Sequence, residues 1–143
     1  MNRKLQCILL VDDDDMTNFY NKKMIEKVGF KGVDIKVVIN GREALDFLEK
    51  KGDFENDQTA PPGIIFLDIN MPGMNGWEFL EGYHQIPQSK KADIVIAMLT
   101  TSLNPDDEQR AAENEYIHDF YSKPLSPEMI RDLVAAKFPE TLQ

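Results

Sequence analysis

The sequence has a single cysteine, only two histidines and no long unbroken apolar run in its 143 residues. The lone Cys7 rules out an internal disulfide, and inside the apolar stretch Leu5 to Val11 it reads as a small buried thiol. No run reaches the length needed to cross a bilayer. The apolar stretch behind the basic N-terminus is too short for a signal peptide and ends in aspartates. The expectation is a soluble protein of a reducing cytoplasm. His84 and His118 have no metal-ligand spacing and are expected to be structural or exposed. Positive charge is scarce as well: 16 basic residues face 25 acidic ones, a net charge of −9. That balance argues against nucleic acid, whose binding needs a basic stripe. It suits cations or basic partner surfaces.

What is present is ordinary globular composition, with 42% hydrophobic and 29% charged residues. The length fits one domain over residues 1–143. Apolar runs without alternation occur at Ile8 to Val11, Ile64 to Leu67 and Ile94 to Leu99. Runs of this kind are strands buried on both faces, as in a parallel sheet covered by helices. Ile35 to Ile39 and Ile117 to Tyr121 are less apolar and suit edge strands.

Helical patterns separate these strands. Met16, Phe19, Tyr20, Met24 and Val28 have helical spacing, with Gly29 as a stop and Asp15 as a candidate cap. Asn40 with Glu43 resembles a capping box, and Trp77, Leu80, Tyr83 and Ile86 mark a third helix. Asn104-Pro105 and Ser126-Pro127 open two more, each with a cap, a proline in the first turn and acids behind it. Five strand-then-helix units predict an α/β fold. Lys51 to Gly63 is longer than such a connection needs and reads as a surface insertion at 51–63. The chain ends soon after the fifth helix, so no output domain is expected.

Ligands of open α/β sheets bind beyond the carboxyl ends of the strands, where strand order reverses. Here strand one ends in Asp12-Asp13-Asp14-Asp15, strand three in Asp68-Ile69-Asn70, strand four in Thr100-Thr101 and strand five in Lys123-Pro124. In a sheet of order 2-1-3-4-5, Asp12, Asp13 and Asp68 converge. Two carboxylates about 4 Å apart repel by roughly 1 kcal/mol in water and about 4 kcal/mol near a protein surface. A proton or a cation must offset that, and all-oxygen ligands favour Mg²⁺ or a similar hard ion. Such a site suits phosphoryl transfer to a carboxylate nucleophile, with Lys123 and a Thr100 hydroxyl on the phosphoryl oxygens.

Four segments in register carry a resemblance. They are Ile8-Leu9-Leu10-Val11-Asp12-Asp13, Phe66-Leu67-Asp68-Ile69-Asn70-Met71-Pro72-Gly73-Met74-Asn75-Gly76, Met98-Leu99-Thr100 and Tyr121-Ser122-Lys123-Pro124. Together they span nearly the whole chain, which resembles the response-regulator receiver domain of two-component signalling, of the stand-alone kind related to chemotaxis regulators. The resemblance implies a flavodoxin-like, doubly wound (βα)5 fold with a parallel sheet of order 2-1-3-4-5. It implies that Asp68 is the phosphoacceptor, with Lys123 and Thr100 contacting the phosphoryl group. Mg²⁺ or Mn²⁺ would be held by Asp13, Asp68 and the backbone carbonyl of Asn70, with Asp12 acting through water. Lys123-Pro124 would be a cis peptide. Thr100 and Phe120 would be the switch pair, and Asn70 and Ser102 would tune dephosphorylation.

Two features depart from the family pattern. Phe120 stands where a tyrosine is frequent and has no hydroxyl to offer, and Thr101 competes with Thr100 for the switch position. The implied partners are a histidine kinase or histidine phosphotransfer protein and a downstream protein, with no nucleic acid and no membrane. The weakly amphipathic helix 4, with strand 5 and helix 5, is the face expected to carry a partner or dimer contact. Such a domain catalyses its own phosphorylation and dephosphorylation and turns over no external substrate. Two alternatives stand beside this one: a pseudo-receiver interaction module in one fixed state, and an aspartate-nucleophile phosphohydrolase. The second lacks the acid such enzymes carry two residues beyond the nucleophile, where this sequence has Asn70.

Overall fold

The computed structural model describes residues 4–88, 91, 94–101 and 104–142. Five strands and five α-helices alternate: β1 (Cys7–Val11), α1 (Asp15–Val28), β2 (Asp34–Val38), α2 (Gly41–Glu49), β3 (Ile64–Asp68), α3 (Gly76–Gln85), β4 (Val95–Thr100), α4 (Pro105–Glu113), β5 (Ile117–Ser122) and α5 (Pro127–Lys137). The strands form one parallel sheet of order β2-β1-β3-β4-β5. Order and direction match the expected flavodoxin-like arrangement.

The core has two halves because strand side chains alternate across the sheet. Cys7, Leu9 and Val11 join Leu67, Phe47, Phe79 and Tyr83 beneath α2 and α3. Ile8 and Leu10 join Phe66, Ile25, Ile130 and Phe138 beneath α1 and α5. The three central strands are buried along their whole length, as their unbroken apolar runs predict. At the edge, β5 has no fully buried residue. No helix among the described residues is long and apolar enough to cross a membrane.

Caps fix where the helices start. Asn40, Asn75, Asn104 and Ser126 each accept a hydrogen bond from a backbone N–H of the first turn, and Asn75 with Glu78 completes a reciprocal capping box. At α1 the cap is Asp14, not Asp15 as expected, since its carboxylate accepts from the N–H of Thr17.

The helix expected from the spacing of Met16, Phe19, Tyr20, Met24 and Val28 is present, but the face it buries is only partly the apolar one. Met16, Phe19 and Tyr20 are 76%, 63% and 44% exposed. Asn18 and Asn21 are buried in their place, with Met24 and Ile25. Burying a large apolar side chain contributes roughly 1.5–3 kcal/mol, which the first turns of α1 forgo.

The stretch between α2 and β3 has order of its own. A short 3₁₀ turn (Gly52–Phe54) sets Phe54 edge-on to Phe47, with ring centroids 5.4 Å apart. Asp57 then gathers the loop, accepting from the N–H of Thr59 at 2.7 Å and pairing with Lys36 of β2 at 3.0 Å. The Thr59 hydrogen bonds, with help from Lys36, hold the Asp57 carboxyl well below the usual carboxylate range.

Candidate functional site

The carboxyl ends of β1, β3, β4 and β5 lie at one end of the sheet because all the strands run parallel. Val11 pairs with Leu67, so Asp12 and Asp68 leave adjacent strands side by side. One carboxylate oxygen each from Asp12, Asp13 and Asp68 lies within 4.8 Å of the others. Asp12 and Asp68 are 4% and 7% exposed, whereas Asp13 faces solvent.

Lys123 closes the cluster. Its Nζ lies 2.5 Å from Asp12 Oδ2 and 3.0 Å from Asp68 Oδ1. The Lys123-Pro124 peptide is cis, as the resemblance implies, and the Lys123 N–H donates to the Thr100 carbonyl at 2.9 Å. Thr100 is 1% exposed at the end of β4, while its neighbour Thr101 faces solvent. Phe120 is half-buried against the core beneath α2 and α3. Asn70 stands exposed two residues beyond Asp68, and Ser102 lies outside the described residues. Apart from Ser102 and the more distant Phe120, the residues singled out from the sequence thus lie at or beside one end of the sheet.

Two groups that sequence reasoning did not assign help shape the site. Gly76 donates its N–H to the Ile69 carbonyl at 2.9 Å, and a Cβ there would lie 2.5 Å from the Asp68 carbonyl oxygen. Only glycine allows α3 to start that close to the Asp68 backbone. Asn18 donates from Nδ2 to the Asp12 carbonyl at 2.8 Å. Its signal in the sequence was masked by the apolar residues around it.

The electrostatics follow from the crowding. Burial, then the Asp12 carboxylate and more weakly Asp13, push the Asp68 carboxyl above its usual range despite the opposing pull of Lys123. Burial alone would lower Lys123, but its hydrogen bonds to Asp12 and Asp68 outweigh that and raise it, so the ammonium stays charged. Lys123 thus pairs with two of the three converging carboxylates. The donors are all oxygen, two of the acids are buried side by side, and the third faces solvent. These features fit a hard divalent ion such as Mg²⁺ or Mn²⁺.

Comparison with known proteins agrees with this geometry. Residues 8–135 match the model of the response regulator receiver domain. The chain belongs to that family. The receiver is 32% identical over 128 residues to the probable methanogenesis regulatory protein FilR2 of Methanothrix harundinacea, covering 89% of this chain and 77% of that protein. A two-component response regulator from Cytophaga hutchinsonii superposes with a TM-score of 0.80 at 33% identity, covering 96% of the receiver and 99% of that chain. Response regulator Rcp1, known from Synechocystis, has a Mn²⁺-bound crystal structure. It superposes with a TM-score of 0.75 at 26% identity, covering 93% and 94% of the two chains. Receivers are signalling modules of two-component systems rather than enzymes that turn over an external substrate.

Proposed function

We propose that this receiver takes a phosphoryl group from a phosphohistidine protein onto Asp68 and signals through protein contacts. The observation that carries the reading is the position of Lys123 Nζ, within 3.0 Å of both Asp68 and Asp12 while those two carboxylates and Asp13 converge. Here the cation and the acids sit where phosphoryl charge would develop.

In this reading an Asp68 oxygen attacks the donor phosphorus and the phosphorus–nitrogen bond to the histidine ring breaks. The imidazole leaves with the electron pair, and the product is an aspartyl phosphate. Lys123 then exchanges its contact with Asp68 Oδ1 for a phosphoryl oxygen. A bound Mg²⁺ or Mn²⁺, held by Asp13, Asp68 and the Asn70 carbonyl with Asp12 behind water, would supply charge neutralisation at the same oxygens. The Thr100 hydroxyl donates to another phosphoryl oxygen, and this movement makes room for Phe120 to turn inward. Water later hydrolyses the acyl phosphate, at a rate that Asn70 and Ser102 would tune. The donor reaches the site across the solvent-facing side of α1. Met16, Thr17 and Tyr20 there share an open, mainly apolar hollow with Thr101, Lys123 and Pro124. The face formed by α4, β5 and α5 is the proposed output or dimer surface.

The test is incubation with acetyl phosphate and Mg²⁺, followed by intact mass measurement. One phosphoryl group, released by hydroxylamine, is the expected gain, and Asp68→Asn is expected to lose it. Incorporation that persists in Asp68→Asn overturns the assignment. A wild-type protein that takes up nothing favours a receiver locked in one state.

A further inference from the structure

We infer that Asn18 and Asn21, on the inner face of α1, are positioning residues that hold the two site loops in register. Asn18 would set the Asp12 loop and Asn21 the Lys123 loop. The inference rests on the phosphoacceptor reading above. Its starting point is that α1 turns two carboxamides inward while three large apolar side chains stay outside.

The two side chains lie three residues apart and so share one face of the helix. Asn18 is 5% exposed and donates from Nδ2 to the carbonyl of Asp12 at 2.8 Å. Its Oδ1 is buried with no hydrogen-bond partner among the described residues. A buried amide oxygen in that state calls for an explanation, and the Nδ2 contact with the Asp12 carbonyl supplies one. Asn21 is 1% exposed, and its Oδ1 accepts from the backbone N–H of Leu125 at 3.3 Å, across 104 residues of sequence. Leu125 is itself 1% exposed and directly follows the cis Lys123-Pro124 peptide. Without Asn21 that N–H would be buried and unpaired.

Each asparagine therefore grips the backbone beside a different charged group. The Asp12 carbonyl fixes where the β1 loop turns, and Asp12 in turn accepts from the N–H of Asp14 at 3.0 Å. The Leu125 N–H fixes where the chain goes after Lys123. The opposed charges, Lys123 Nζ and Asp12 Oδ2, then meet at 2.5 Å. One rigid helix sets the distance between acid and base because it holds both loops, and the two effects are separable.

The experiment uses the full chain with Asn18→Leu, Asn21→Leu and Asn21→Asp. Mn²⁺ affinity is read by electron paramagnetic resonance of the free ion, phosphorylation by acetyl phosphate at saturating Mg²⁺, and melting by circular dichroism. Asn21→Leu is expected to slow phosphorylation about 10-fold or more with Mn²⁺ affinity within about 2-fold of wild type. Asn18→Leu is expected to weaken Mn²⁺ binding about 3- to 10-fold, with a smaller loss of rate once the metal saturates. Asn21→Asp keeps the acceptor for Leu125 but buries a carboxylate, so it should melt below Asn21→Leu yet react faster. Reaction rates that follow the melting order, or equal losses of metal affinity and rate in both leucine variants, overturn the inference. A reactive wild type matched by every variant also overturns it while sparing the phosphoacceptor reading. A wild type that takes up no phosphoryl group overturns both.

Discussion

Helices α1 and α4 leave the same end of the sheet and are built in opposite ways. The first is anchored from inside by Met24, Ile25 and two buried carboxamides, one reaching the loop of β1 and the other the loop after β5. In α4 the only fully buried residue is Ala111, and its first turn carries Asp106, Asp107 and Glu108. Its ties to the neighbouring helix are surface contacts: Arg110 lies 4.3 Å over the Trp77 ring, and beyond its end Tyr116 meets the His84 ring nitrogen at 2.5 Å. A helix that positions charged groups needs many buried contacts. A helix that changes place needs few, because local opening is cheapest where little apolar surface is buried.

The sharpest way to break the comparison is to cut α1 at its buried anchor and, separately, on its outer face. Ile25→Ala should destabilise the protein by about 2–4 kcal/mol, since Ile25 is a fully buried isoleucine in a tight core. Phe19→Ser on the outer face of the same helix should stay within about 0.5 kcal/mol. Chemical denaturation measures both, and equal losses would mean that α1 buries its apolar stripe after all.

The site between the two helices responds to pH in a defined direction. Asp68 titrates above the ordinary carboxyl value of 3.8 in the folded, metal-free protein, chiefly through burial and Asp12. Between those two values the folded state binds more protons than the unfolded one, so stability contributed by this group falls as pH rises and is flat once Asp68 is ionised. Asp68→Asn should therefore melt higher than wild type at neutral pH without metal, and the gap should close as pH falls towards 3.8. Mg²⁺ should narrow the gap by stabilising only the wild type. A gap of constant size at every pH would show that the Asp68 charge is not its cause.

The smallest expected effect is the most local. Arg110→Ala removes a partly exposed cation–π contact worth about 0.5–1 kcal/mol. Amide exchange in α4 should quicken about 2- to 5-fold while α1 and the global melting temperature stay nearly unchanged. Quickening spread over the whole sheet would mean that α4 is no separate unit.

Much of this molecule was legible in its residues. The three central strands announce themselves because burial on both faces leaves an unbroken apolar run, and the cap residues are local chemistry. Asp68, Asp12, Asp13, Thr100 and Lys123 were legible too, since a parallel sheet brings every strand's carboxyl end to one side. What stayed illegible at α1, its buried face, has an equally physical cause. Periodicity reports which residues share a helix face but not which face turns inward, and Met16, Phe19 and Tyr20 make a convincing stripe on the side that stays in solvent.

The amino-acid sequence by itself determined the α/β order, the strand cores and the acids and lysine at the strand ends, because each follows from residue type and spacing along the chain. Only the tertiary structure decided that Asn18 and Asn21 lie inside, that Lys123 spans Asp12 and Asp68, and that Gly76 sits against the Asp68 carbonyl. Those contacts join residues up to 111 positions apart, as between Asp12 and Lys123, and no local pattern encodes them.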